Sequence, residues 1–243
     1  MTSWKRRAVA ATAVCGIMLI LWGTLGHLGV SAAERSVEIP VAAVDNPKAA
    51  GQLQTAVLAG GCFWGVQAVF QHMNGVQRAL SGYAGGERAT AEYEIVSSGR
   101  TGHAESVQVT FDPNVVSYGE ILRVFFAVAH DPTQLNRQGP DSGTQYRSAI
   151  FYADERQKEI ATAYIAQLEQ TGKFGRPIVT RVDPLRGFYA AEGYHQDYLL
   201  RHPNDPYIVF NDQPKVRNFQ RALPDLYRDQ AVPVGSARTT LAR

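Results

Sequence analysis

Cysteine is the scarcest reactive residue here: 243 residues carry two, Cys15 and Cys62. Cys15 falls in an N-terminal stretch that reads as a leader. The rest of the chain therefore holds Cys62 alone, which excludes an internal disulfide and any cysteine-based metal site there. Acidic residues are missing before Glu34. Of the 24 Lys and Arg, three are Lys5, Arg6 and Arg7, leaving 21 against 22 acidic residues. That balance gives no support for nucleic-acid binding. No His-Glu-x-x-His occurs. His103-Ala104-Glu105 matches the first part of the zinc-deaminase signature, but its Pro-Cys-x-x-Cys partner is absent, so no metal site is expected. The composition, 45% hydrophobic and 19% charged, is that of a soluble globular protein with one large domain or two small ones.

Residues 1–33 read as a signal peptide or a membrane anchor. Lys5-Arg6-Arg7 is a positive start, Ile17 to Trp22 an apolar core, and Val30-Ser31-Ala32 a small-residue cleavage site. The uncharged run from Ala8 to Ala33 is also long enough to span a bilayer. Either way the expectation is export, into the bacterial periplasm, with the basic residues left on the cytoplasmic side. Residues 34–52, with Pro40 and Pro47 and no periodicity, read as a linker. Residues 53–227 read as the folded domain and 228–243 as a loose tail.

Within that domain Thr55–Ala59 reads as a buried strand, and Val66, Val69, Phe70 and Met73 recur at helical spacing. Val76–Tyr83 is expected to be a strand and Glu87–Thr101 a polar loop around Tyr93. Ala104–Phe111 alternates, which places Glu105 on the same face as Val107, Val109 and Phe111. Ser117 and Glu120 form a capping box before a helix through Val128. His130–Gln145 is a long loop, Tyr146–Tyr152 a strand, Asp154 to near Gly172 an amphipathic helix and Ile178–Val182 another strand. Phe188, Tyr189, Tyr194, His195 and Tyr198 cluster around a short helix, and the chain beyond Arg201 is rich in Pro and Asn. This order argues for an α+β two-layer sandwich with a mixed sheet, built on a split βαβ plait of the ferredoxin-like kind plus an extended C-terminal region.

Gly60-Gly61-Cys62-Phe63-Trp64-Gly65 places Cys62 on the turn from strand to helix. Free N–H groups and the helix dipole there favour an anion, which predicts a thiol pushed toward thiolate. Two aromatic rings beside it suggest a small apolar pocket. A buried structural cysteine fits position and neighbours equally well. Glu105 on an apolar strand face would have its carboxyl pKa raised by desolvation and could serve as a general acid, although position alone favours a glutamate at the strand end with its head in solvent. Cys62 with His195 would alternatively make a cysteine-hydrolase dyad. A third reading is a non-catalytic binder of methionine-rich peptides through Phe63 and Trp64.

Five motifs occur in order: Gly61-Cys62-Phe63-Trp64-Gly65, Gly82-Tyr83-Ala84-Gly85-Gly86, Thr101-Gly102-His103-Ala104-Glu105, His130-Asp131-Pro132 and Gly143-Thr144-Gln145-Tyr146-Arg147-Ser148. Together they resemble the A-type peptide methionine sulfoxide reductases over Ala56 to Gln213. The resemblance implies reduction of methionine-S-sulfoxide with Cys62 as nucleophile and Glu105 as general acid. It implies that Tyr93, Tyr146 and Asp141 surround the sulfoxide oxygen and that Phe63 and Trp64 hold the methyl group, with Gly61 and His195 completing the substrate contacts. No bound cofactor is implied. The partners are oxidised proteins and an external thiol donor such as a thioredoxin-like protein, and the chain acts as a monomer. Many relatives carry resolving cysteines near the C-terminus; this chain has none after Cys62.

Overall fold

The alternating stretch around Glu105 does form the middle of a sheet. In the computed structural model, which describes residues 36–236, Gln54–Gly60 forms β1, Val76–Ala84 β2 and Ala104–Phe111 β3. β3 lies between β1 and β2 and is antiparallel to both, with Tyr83 paired to Glu105 and Leu58 to Val107. The connection from β1 to β2 is helix α1, Phe63–Gln71. Ser148–Tyr152 (β6) pairs antiparallel with the other side of β1. β1, α1, β2, β3, the next helix and β6 thus make the expected split βαβ plait. Two short strands extend it: Arg181–Pro184 (β7) runs parallel to β6, and Phe188–Ala190 (β8) lies antiparallel to β2. The result is a six-stranded mixed sheet in the order β7-β6-β1-β3-β2-β8. A separate two-stranded ribbon joins Arg137–Gln138 (β4) to Asp141–Ser142 (β5).

Strand alternation decides which face is thick. Ala56, Leu58, Val107, Val109 and Phe111 point into the main core beneath the helices, while Val57, Ala59, Ala104 and Ala149 form a thin second cluster on the other face. Glu105 belongs by register to the thick face and is 4% exposed. The helices end where their sequences say they should. Ser117 and Glu120 make both bonds of a capping box at the start of Tyr118–Val124 (α3), which continues as a π-helical turn to Ala129. Asp154 caps Glu155–Thr171 (α4) by accepting from the Gln157 amide, and Gly172 ends it with a φ of 63°.

Several expectations need correcting. The polar loop after Gly86 contains a short helix, Tyr93–Val96 (α2), which starts at Tyr93 itself. Tyr146 lies in a 3-10 turn, Thr144–Tyr146, ahead of β6 rather than in it. The strand expected over Ile178–Val182 sits three residues later, because Val179 is already spent donating to the Pro132 carbonyl. Phe188 and Tyr189 lie in β8, not beside a helix; the helix nearby is Tyr198–Arg201 (α5). The Pro- and Asn-rich C-terminal stretch hides a ten-residue helix, Gln213–Ala222 (α6), with proline in its first turn, where no amide hydrogen is needed.

Both flanks of the domain are anchored. Residues 36–52 have no regular structure, yet Ile39 is 3% exposed, Val37 and Val44 pack on the core, and the Tyr164 hydroxyl donates to the Pro40 carbonyl at 2.7 Å. Asp45 accepts from the Gly119 amide and the Ser117 hydroxyl at the start of α3. The tail is tied too: Arg228 donates to the carbonyls of Gln71 and Val76, and the Val234 amide donates to Asp197. Residues 1–33, expected to be a signal peptide or membrane anchor, lie outside the described residues. Among the described residues no helix is long and apolar enough to cross a membrane. Residues 36–45 therefore behave as part of the core: Ile39→Ala should lower the unfolding free energy by about 2–5 kcal/mol in urea titration, as a buried truncation does. A loss near zero would show the strap to be dispensable.

Candidate active site

β1 ends at Gly60 and α1 begins at Phe63, so Gly61 and Cys62 are the whole turn between them. Gly61 has a φ of 89°, and a Cβ there would lie 2.4 Å from Cβ of Gln138. Only glycine fits. Gln138 in turn holds the backbone of Asp131 through both ends of its amide, at 2.9 and 3.0 Å. The His130-Asp131-Pro132 motif therefore pins the wall against which the turn is built. His130 itself stacks on Phe125 at 4.0 Å and bonds Ser148 Oγ at 2.7 Å, a structural role.

Two free amides at the start of α1 face the reacting groups. The Phe63 N–H donates to Glu105 Oε2 at 3.1 Å, and the Trp64 amide lies near enough to the Cys62 sulfur to lower its pKa. The start of one helix thus carries the thiol at Cys62 and, at the next residue, the amide that holds the carboxyl. Tyr93 and Tyr146 lie within electrostatic reach of both Cys62 and Glu105, and Asp141 within reach of both as well. The five residues expected to act together do come together. Tyr93 is placed by Glu192, whose carboxylate accepts from the Tyr93 amide at 2.9 Å and from the Tyr83 hydroxyl at 2.8 Å.

The electrostatics correct one expectation. Cys62 is 8% exposed, and burial pushes its thiol well above the ordinary range, helped by the negative charge of Asp212, Glu105 and Asp141. The Trp64 amide opposes this but does not win. In a pocket with three carboxyl groups, desolvation and like charge outweigh the helix terminus. The resting group is a thiol, not a thiolate. Glu105 behaves as its face predicted. Burial pushes its pKa up to about 8, against the bond from Phe63, with Asp141 and Asp212 adding to the rise. The Tyr93 and Tyr146 phenols are also raised, mainly by burial and then by Glu105, so both are donors at neutral pH.

Phe63 and Trp64 form an aromatic wall. Phe63 is 1% exposed and leans on Tyr83 at 5.9 Å between ring centres. Trp64 stacks on Tyr198 at 3.8 Å and meets Tyr207 edge-on at 5.8 Å. His195 lies behind this wall: its Nδ1 accepts from the Trp64 indole N–H at 3.2 Å, and its Nε2 faces Glu192 at 3.8 Å. Neither nitrogen is directed at Cys62, and burial lowers the histidine pKa. His195 orients Trp64; the geometry of a Cys–His dyad is not formed.

Three residues near the sulfur escape a reading of the sequence. The Tyr207 hydroxyl donates to Asp141 Oδ2 in a short hydrogen bond. Asp212 is fully buried and packs against the first turn of α1, where a Cβ on Gly65 would lie 2.1 Å from its Oδ1. The last glycine of the Gly61–Gly65 motif therefore makes room for a carboxyl. Lys215 Nζ sits 3.2 Å from Asp212 Oδ1, and both side chains are buried; burial still pushes Asp212 up to about 6. The Asp-x-Pro-Lys run at 212–215 is a legible helix start. Nothing in its spacing says that it reaches Cys62. Among the described residues no group of three or more His, Cys, Asp or Glu is placed to hold a metal ion.

Comparison with known proteins agrees with this geometry. The family described as peptide methionine sulfoxide reductase matches residues 54–226, a span that includes α6. The chain is 57% identical over 190 residues to peptide methionine sulfoxide reductase MsrA 2 of Mesorhizobium japonicum, covering 78% of this chain and 97% of that one. It is 51% identical over 178 residues to MsrA 2 of Synechocystis, covering 73% and 83%. Among solved structures, methionine sulfoxide reductase A of Corynebacterium diphtheriae superposes with a TM-score of 0.55 at 36% identity, over 72% of this chain and 92% of that chain. Motifs, fold and site agree with these likenesses, and the chain belongs to the peptide methionine sulfoxide reductase family.

Proposed function

We propose that this enzyme reduces methionine-S-sulfoxide in oxidised proteins through Cys62, with Glu105 as the proton donor. The observation that carries the assignment is the Phe63 amide bond to Glu105, which fixes a carboxyl of raised pKa beside the thiol. The sulfoxide oxygen accepts from the Tyr93 and Tyr146 hydroxyls, with the Asp141–Tyr207 pair on the same wall. The methyl group lies against Phe63 and Trp64. Gly61 lets the turn close on Gln138 and so sets where the sulfur stands for the substrate.

Proton counting fits the resting state. The sulfur of Cys62 attacks the sulfoxide sulfur and supplies two electrons. Turning the sulfoxide oxygen into water takes two protons; the thiol gives one and Glu105 the other. Water then breaks the new S–S bond, which releases methionine, leaves Cys62 as a sulfenic acid and returns a proton to Glu105. A site that holds both protons at rest is therefore the competent one. Because burial raises the thiol, it need not be ionised in advance.

The sequence supplies no second thiol after Cys62. Its sulfenic acid is attacked directly by an external thiol, and a dithiol donor of the thioredoxin-like class completes recycling alone. The basic start and apolar core of residues 1–33 support export, where the donor is a separate protein kept reduced outside the cytosol. A methionine-peptide binder would leave the sulfoxide unchanged.

Four results are expected. Cys62→Ser abolishes conversion of sulfoxide to thioether in single turnover while circular dichroism is unchanged; retained conversion would overturn the mechanism. kcat/KM is flat below pH 8 and falls above it, because Glu105 loses the required proton as pH rises through its pKa of about 8. Glu105→Gln removes that limb and slows the chemical step by about 10²–10⁴-fold; a loss below about tenfold rejects Glu105 as the acid. Finally, a thioredoxin-like donor lacking its resolving cysteine accumulates as a mixed disulfide with Cys62 after turnover. An intramolecular sulfenamide as the competent intermediate would rule out direct attack.

A further inference from the structure

Away from Cys62, one cavity stands out by its charge. It has a volume of about 580 Å³ and lies between the Thr144–Tyr146 turn, the segment entering β3 and the edge strand β7. Arg100, Arg147, Arg181 and Arg186 line it, against one acidic residue, Asp183. Arg181 and Asp183 pair with each other at 3.0 Å. Among the described residues, no hydrogen bond or ion pair engages the guanidinium groups of Arg100 and Arg186.

Arg147 is the most demanding of the four. It is 7% exposed, and it donates only to neutral carbonyls: Gly102 at 2.8 Å, His103 at 3.0 Å and Thr144 at 2.9 Å. Its Nε has no partner. A buried cation held by carbonyls alone is costly unless a counter-charge is near. Burial lowers its pKa, Arg181 pushes the same way, and only Asp183 opposes. Gly85, Gly99 and Gly102 also line the cavity, so an occupant can approach the backbone closely.

We propose that this cavity binds a small molecule through a phosphate monoester group. The unengaged guanidinium groups of Arg100 and Arg186, with the Arg147 cation that has no ion-pair partner behind them, match a doubly charged oxyanion, and arginine forks bond phosphate oxygens bidentately. The volume is that of a small-ligand site. Phe151, which lies 5.9 Å beneath the Arg147 guanidinium, gives the cavity an apolar floor for the rest of the ligand. The site sits behind the catalytic wall: Thr144 shares its turn with Tyr146, and Arg147 ties that turn to the two residues that lead into Ala104 and Glu105.

The test is calorimetric titration of the intact protein with inorganic phosphate, in a phosphate-free buffer of fixed ionic strength. Saturable 1:1 binding is expected. Arg100→Ala/Arg186→Ala should weaken it at least tenfold with the near-ultraviolet circular dichroism unchanged. Should the double variant not fold, Arg100→Gln and Arg186→Gln should each weaken it severalfold. Succinate at equal charge should bind at least tenfold more weakly than phosphate. Absence of saturable heat, equal affinity for succinate, or full binding by the arginine variants would overturn the proposal.

Discussion

The bond from the Phe63 amide to Glu105 joins the start of α1 to the middle strand of the sheet, and most of the site is a consequence of it. β3 is buried on the helix side, so any polar group there must find a partner or stay neutral. Glu105 does both: one oxygen accepts from a helix amide, and burial keeps the carboxyl protonated to about pH 8. The same bond uses an amide that would otherwise be unsatisfied at the helix terminus. A strand residue and a helix terminus thus solve each other's solvation problem, and a carboxyl that keeps its proton at neutral pH is fixed beside the thiol.

Around this pair the protein accumulates carboxyl groups rather than bases. Asp141 and Asp212 both approach Cys62, and both raise Glu105 further. For an enzyme needing a thiolate this would be self-defeating. For one that must deliver two protons to a leaving oxygen it is consistent, because the mutual repulsion of the carboxylates keeps protons bound. Lys215 limits the effect: its ammonium lies against Asp212 and keeps a fully buried carboxylate from being left without a counter-charge. The short bond from Tyr207 to Asp141 works in the same direction.

The sequence was informative wherever a local rule fixes the backbone. The alternation of Ala104–Phe111 placed Glu105 on the core face, the Gly61-Cys62 pair gave the turn, and the caps at Ser117, Asp154 and Gly172 gave the ends of the helices. Long-range contact was not legible. The apolar spacing of Ile39 and Val44 is too sparse to suggest a strap, and Lys215 lies in a polar helix whose buried face carries Lys215, Asn218 and Phe219. The thiol shows the limit most clearly. A helix terminus is a local signal visible in sequence, whereas burial and three carboxyl groups from β3, β5 and the C-terminal stretch are not. Here the invisible terms are larger.

The C-terminal stretch also explains how a chain with one thiol in its folded part can be organised. His195, Tyr198, Tyr207, Asp212 and Lys215 all follow β8, and each is committed to the site: two pack on Trp64 as wall and shelf, one bonds Asp141, and two are buried against the first turn of α1. A segment holding a fully buried carboxyl in place cannot also swing a side chain onto the sulfur without exposing Asp212 and freeing Trp64. Rigidity there favours a well-formed pocket over an internal resolving step. With Cys62 only 8% exposed, substrate and reductant must reach the same small area of one sulfur. They therefore do so in turn, and the aromatic wall proposed to hold the methyl group is also the surface that an incoming donor has to pass.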